Sequence, residues 1–344
     1  TNSPLTNSHV LMDAPPEHED CRPFVQVQER LAAIGLSVPE IRRSDLAQGY
    51  LLLSDLGTTS YLDRLRASSP DSESSLAMLY RYAVDAMLRM QCEARVDGLP
   101  DYSATLLRTE LELFTDWFLG RHLGLEIDAT LGAALRDSYA ALVQVCLEQP
   151  QVFVHRDYHS RNLMVLTNAD AGANPGIIDF QDAVLGPVSY DLVSLLRDAY
   201  VCFDDGAVYA WLRYYHASAQ RRGWLDGVDY LTLRRWFDLT GVQRHLKVAG
   251  IFARLWHRDR KPGYLRDIPL VLDYCLRVGA RHEATRELVE LLEKRGIAAQ
   301  VVRVNERLRT QGVFDPDTRQ EAPSGPAPDA AWFEPAAPEE PKPR

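Results

Sequence analysis

Residues 152–166 read VFVHRDYHSRNLMVL: an apolar run of strand length enters a knot of charge and imidazole, and a second apolar run leaves it. Two readings compete for HRDYHSRN. A polar hairpin turn would need nothing elsewhere in the chain. A catalytic loop would need partners at defined spacing, supplied by other short strands. The second reading finds its partners: Asn162 lies five residues after Asp157, and GIIDFQD at 176–182 delivers Asp179 after a hairpin-length interval.

Transfer of a phosphoryl group from a nucleotide needs a carboxylate to accept the proton of the attacking hydroxyl, and oxygen ligands that hold magnesium against the phosphates. In enzymes of that kind an Asp on a loop is the base, an Asn five residues on binds metal, and an Asp on the following hairpin binds metal again. Asp157 is therefore the candidate general base, with Asn162 and Asp179 as candidate magnesium ligands. VFV, LMVL and GII supply the three short strands such a loop needs.

The rest of the chain is organised around that segment. VLMDAPP is a strand stopped by two prolines, DCRPFVQVQERLAAI at 20–34 has a helical pattern closed by Gly35, and GYLLLSDLG is a strand bounded by glycines. The expected order to Leu56 is strand, helix, strand, strand. SSPDSESS at 68–75 reads as a flexible spacer. Helical patterns follow over 76–96, 105–124 and 128–148, and after the break at 151–180, where NADAGANPG forms a turn, they resume to about residue 310. Beyond Asp315 the chain holds eight prolines and few aliphatic side chains, too little apolar surface to offset chain entropy, so a disordered tail is expected. The expected domains are 1–56, 57–312 and the tail 313–344.

Composition narrows the partners. The 344 residues carry a formal net charge of −10, which argues against nucleic acid, since a phosphate backbone is met by clustered Lys and Arg on a basic domain. A small-molecule partner is expected; protein partners are not legible. The five cysteines are scattered without metal-ligand spacing, which suits reduced thiols in a reducing, cytoplasmic compartment. No stretch approaches the roughly 20 apolar residues of a membrane span.

HRDYHSRN followed by IDFQDAVLGPVSYDL resembles the aminoglycoside phosphotransferase and choline kinase superfamily over roughly residues 10–310. MDAPPEHEDCRPF at 12–24 and GVQRHLKVAGIFARLWHRDRKPGYL at 241–265 resemble more specifically the branch that phosphorylates the anomeric C1 hydroxyl of N-acetylmuramate and N-acetylglucosamine in bacterial cell-wall recycling. The resemblance implies an α+β, protein-kinase-like two-lobed fold with a truncated small N-lobe and a mainly helical C-lobe. It implies ATP as co-substrate, Mg2+ as cofactor and an amino sugar as acceptor.

Position by position, the resemblance makes Asp157 the base and Asn162 and Asp179 the magnesium ligands. His155 braces the loop, and Asp191 in SYDL accepts hydrogen bonds from the loop backbone. The hinge Ser54, Asp55 and Leu56 meets the adenine, and Arg156, His159, Arg161 and Asp182 are candidate substrate contacts. Two departures stand out. Gln181 replaces the glycine that follows the DF pair in protein kinases, and HVLMD places Met12 about where the phosphate-binding lysine would fall, with no phosphate-covering hairpin before it.

Other readings of the same residues compete with these. His155 and His159 are four apart, but the zinc signature HExxH needs a helix and a glutamate after the first histidine, and Arg156 stands there on a loop. Asp191 also suits a helix N-terminus, Asp182 suits an exposed carboxylate, and Cys146 sits on an apolar helix face. The basic run Arg244, His245, Lys247, Arg254, Arg258, Arg260 and Lys261 reads either as a solvated helix face or as positive charge aimed at phosphates or a substrate carboxylate. N-acetylmuramate has such a carboxylate and N-acetylglucosamine does not. The alternatives for function are another small-molecule kinase, acting on an aminoglycoside, homoserine, a thiosugar or choline, and a catalytically impaired binding protein.

Overall fold

The computed structural model describes residues 8–67, 73–166, 173–313, 323–329 and Trp332. Most of the expected spacer, part of the NADAGANPG turn and most of the expected tail lie outside these residues.

A small N-terminal lobe is built from β1 (His9–Asp13), α1 (Arg22–Ala33), β2 (Ile41–Asp45) and β3 (Tyr50–Ser54). The strands form one antiparallel sheet in the order β1-β3-β2, with Val10 opposite Leu53 and Ser44 opposite Leu51. Period-two alternation turns Leu51 and Leu53 inward, and both are buried. Proline in its first turn opens α1, and Phe24, Val27, Gln28 and Leu31 are buried along one face, the spacing an amphipathic helix needs to pack one side.

A short connection, residues 55–60, leads to α2 (Tyr61–Arg66), whose start is fixed by a capping box between Ser60 and Asp63. The helical lobe follows with α3 (Glu73–Glu93), α4 (Ala104–Leu113) running on as a π-helical stretch (Phe114–His122), and α5 (Ala129–Leu147). Then come the short strands β4 (Gln151–Val154), β5 (Leu163–Met164), β6 (Gly176–Ile177) and β7 (Val184–Pro187). β4 pairs antiparallel with β7, and β5 with β6. β7 corrects the expectation that helices resume directly after residue 180. VLGP is too short to show a period, carries a glycine and a proline, and is held as a strand by its pairing with β4.

The helical lobe continues with α6 (Tyr190–Leu196), α7 (Asp205–Arg221), α8 (Tyr230–His257), a 3-10 turn (Pro262–Asp267), α9 (Ile268–Gly279), α10 (Glu283–Lys294) and α11 (Ile297–Thr310). α8 is the axis of this lobe and is buried almost continuously from Trp236 to Ala253. Gly250 sets its position: a Cβ there would lie 2.4 Å from the backbone carbon of Leu113, so only glycine lets α8 lie directly on the junction of α4 and the π-helical stretch.

Part of the expected disordered tail is packed instead. Residues around Pro323–Gly325 exchange backbone hydrogen bonds with Cys202, the Trp211 indole donates to the Pro326 carbonyl at 2.7 Å, and Trp332 lies against Trp211 with Arg81 over its ring. Composition undervalued this segment because a few aromatic contacts suffice to seat it.

Candidate active site

The HRDYHSRN loop leaves β4 and enters β5, and its backbone is pinned from below. Asp191, wholly buried in the first turn of α6, accepts from the amides of His155 (2.7 Å) and Arg156 (3.0 Å). Burial pushes its carboxyl up to about 7 even though both amides pull the other way. Asp198 is a second brace: its carboxylate takes the amide of Ser160 (2.8 Å) and that of Tyr200 (2.9 Å). Arg156 sits at φ +74° and Asp179 at φ +65°, left-handed conformations that cost non-glycine residues energy and persist where the surroundings over-determine them.

His155 links the two halves of the site. Its Nδ1 accepts from the Asp157 amide (3.3 Å), which leaves Nε2–H to donate to the carbonyl of Ile178 (3.1 Å), the residue before Asp179. Burial lowers its pKa to about 4, against the pull of Asp157 and Asp179, so the ring is neutral at pH 7 and acts as a strut.

Asn162 and Asp179 come together. The Asn162 amide lies 3.0 Å from Asp179 Oδ2 and also donates to the Asp157 carbonyl at 3.1 Å, while the Gln181 amide donates to Asp179 Oδ1 at 2.9 Å. The residue that replaces the usual glycine thus holds the carboxylate from its other side. A hard-oxygen pair of this kind suits magnesium, which uses one or two carboxylates together with phosphates rather than a complete protein cage. Among the described residues no three His, Cys, Asp or Glu side chains converge on one point. The ring of Phe180 packs at a tilt against Phe24 of α1, with ring centres 4.8 Å apart, tying this turn to the small lobe.

Asp157 stands at the wall of a cavity of about 480 Å³ between α4, α8 and the HRDYHSRN loop, in the size range of small-molecule sites. Burial works to raise its pKa, but the positive charges of Lys247 and Arg244 are among those that outweigh it and hold the carboxyl below its ordinary range. Asp157 is therefore ionised and able to accept a proton. Arg156, His159 and Asp182 also line this cavity, whereas Arg161 lies in a second cavity beyond Tyr200 and Tyr264, its guanidinium 4.7 Å from the Tyr200 ring centre. Geometry therefore separates Arg161 from the other three expected substrate contacts.

Glu110 of α4 organises one side of the cavity. It receives the Arg156 guanidinium at 2.6 Å, Lys247 Nζ at 2.9 Å and the Tyr102 hydroxyl, and Lys247 also donates to Tyr190 at 3.1 Å. Burial opposes the charge of Glu110, but Lys247 and Arg156 outweigh it and lower its pKa. Glu110, Tyr102 and Asp198 are absent from the sequence reading because a helical TELEL or an RDAY carries no spacing signal. The basic run separates: Arg244, Lys247 and Arg254 line the cavity, while Arg258 is exposed and bonded to Asp259.

The hinge residues serve the backbone first. The Ser54 hydroxyl accepts the Glu40 amide at 2.8 Å, and the Asp55 carboxylate receives the Ser8 hydroxyl and the Gly57 amide. Leu56 reaches over Gly176 of β6, where an added Cβ would lie 3.1 Å from its methyl carbon. The hinge is thus packed directly on the strand pair that carries Asn162 and Asp179.

Residues 5–227 match the phosphotransferase enzyme family. The chain belongs to that family. A curated protein of Pseudomonas putida, named N-acetylmuramate/N-acetylglucosamine kinase, is 45% identical over 286 residues, 83% of this chain and 81% of that protein. A protein of the same name from Pseudomonas aeruginosa is 46% identical over 285 residues, with the same shares covered. Among solved structures, the complex of gentamicin with APH(2")-IIa superposes with a TM-score of 0.52 at 12% identity, covering 82% of this chain and 87% of that one, which shows that the phosphotransferase fold is shared.

Proposed function

We propose that the chain is an ATP-dependent sugar kinase that phosphorylates the anomeric C1 hydroxyl of N-acetylmuramate and N-acetylglucosamine. The observation that carries this reading is the position of Asp157, which lines the acceptor-sized cavity while its own carbonyl is bonded to Asn162, the partner of Asp179. Acceptor and phosphate sites thus meet at one ionised carboxylate.

In the proposed reaction the Asp157 carboxylate orients the C1 hydroxyl and takes its proton. The oxygen attacks the γ-phosphorus of ATP in line, a new O–P bond forms, and the bond to the β-bridging oxygen breaks to release ADP. Asn162 and Asp179 would hold magnesium, which when bound neutralises charge on the phosphates. Asp191, Asp198 and His155 keep the loop in register so that Asp157 needs no rearrangement. Ser54 to Leu56 is the adenine side of the cleft.

Aromatic rings suited to a sugar face line the same cavity: Phe252 lies 5.3 Å from Tyr264 and 6.2 Å from Tyr200. Four cationic side chains against three carboxylates line it, so a polycationic aminoglycoside suits it poorly. The test is a panel of acceptors incubated with ATP and magnesium and assayed for sugar-1-phosphate. The two amino sugars should be phosphorylated; turnover of an aminoglycoside, homoserine or choline with neither sugar accepted would overturn the reading.

A further inference from the structure

The four cations of the acceptor cavity are not equivalent. Arg156 and Lys247 both bind Glu110. Arg244, one turn before Lys247 on the same face of α8, is 3% exposed, and neither its Nε nor its Nη1 has a hydrogen-bond acceptor among the described residues. A buried guanidinium with open donors is costly unless an anion completes it. Its charge also reaches Asp157, whose pKa it helps to lower.

We propose, resting on the sugar-kinase reading above, that Arg244 is the residue that recognises the lactyl carboxylate of N-acetylmuramate. Two arguments favour a carboxylate of the acceptor over the nucleotide phosphates as its partner. Arg244 opens onto the cavity that Asp157 lines, and Asn162 and Asp179 do not line that cavity. Lactyl group and C1 hydroxyl belong to one sugar ring, so a sugar whose C1 sits at Asp157 carries its carboxylate into the surroundings of Asp157, where Arg244 is the buried cation still lacking an acceptor. The planar fork of a guanidinium matches a carboxylate in two-point geometry, as it does a phosphate, so it permits this contact and the cavity position selects it. Arg156 and Arg254 also have an unpartnered Nε, but Arg156 is already paired with Glu110, and Arg254 stands nearly three turns further along α8 and is half-buried, so it contributes field at the rim rather than the primary contact. N-acetylglucosamine lacks the carboxylate and gains nothing from Arg244.

The experiment compares kcat/KM for the two sugars in the full chain and in Arg244→Gln, with Arg258→Gln as a control at the exposed arginine that follows the last turn of α8. Loss of one charge-assisted contact should lower the N-acetylmuramate to N-acetylglucosamine ratio on the order of tenfold or more in Arg244→Gln and leave it unchanged in Arg258→Gln. In a second arm the unaltered protein is given N-acetylmuramate with its carboxylate converted to the primary amide, and it should discriminate against the amide by a similar factor. An unchanged ratio in folded Arg244→Gln, or equal use of acid and amide by the unaltered protein, overturns the proposal; the second arm decides even if the variant fails to fold. A parallel loss for both sugars with a raised KM for ATP would assign Arg244 to the phosphates instead. Failure of the unaltered protein to phosphorylate either sugar would refute the sugar-kinase reading itself.

Discussion

The buried carboxylate of Asp191 receives the backbone amide of Arg156 at 3.0 Å while Arg156 itself stands at φ +74°. A left-handed arginine beside the proposed base is held by this contact and by the neighbouring amide of His155. Asp191→Ala leaves both amides buried without an acceptor, a loss of about 1–3 kcal/mol for each. Chemical denaturation should show destabilisation of about 2–6 kcal/mol, and turnover of the remaining folded protein should fall with little change in the affinity for nucleotide.

The contact between Asn162 and Asp179 predicts a magnesium-dependent nucleotide site. Asp179→Asn removes the single carboxylate of the pair, and loss of several kcal/mol of charge stabilisation corresponds to a fall in kcat on the order of 10²–10³. Titration of a fluorescent ATP analogue should show magnesium-dependent binding in the unaltered protein and its loss in the variant.

Glu110 predicts a structural cost distinct from the chemistry. Its side chain and that of Lys247 are each under a tenth exposed, so removing one partner strands the other's charge. Glu110→Ala should destabilise the fold by about 3–5 kcal/mol, measured by urea unfolding.

Three buried histidines predict acid sensitivity. Burial is the largest cause that lowers His155 and His122 to about 4 and His245 to about 3. The unfolded chain, with histidines near 6.5, binds protons that the folded chain does not, so stability is fully present above 6.5 and is lost as pH falls toward 4. Each histidine should cost about 2 kcal/mol between pH 6.5 and 5. His245→Gln should flatten the acid slope of the unfolding free energy by about one proton; an unchanged slope would contradict the neutral, buried state assigned to this ring.

The site's skeleton was legible because its spacing is local. Asp157, Asn162 and Asp179 fall within one short segment whose strands announce themselves as apolar runs, and the long helices carry a strong 3.6-residue period. What was not legible depends on contacts distant in sequence. Glu110 meets Arg156 across 46 residues and Asp198 meets Ser160 across 38, and neither position differs locally from an ordinary helical or turn carboxylate. β7 hides in four residues whose strand character comes from pairing with β4. Arg161 sat beside the chemistry in sequence and is turned by Tyr200 and Tyr264 into another cavity. Arg244 shows the reverse: it is one of seven basic residues in the run at 244–261 and becomes distinct only where burial and pairing separate it from Arg258 and its exposed neighbours.

The measurement that tests the account most directly is turnover by Asp157→Asn, assayed as sugar-1-phosphate formed from ATP, alongside nucleotide affinity in the same preparation. The amide keeps the shape of the carboxylate and cannot take the proton of the C1 hydroxyl. Turnover should fall to background while magnesium-dependent nucleotide binding stays within a small factor of the unaltered protein. Near-normal turnover by the variant would contradict the role assigned to Asp157.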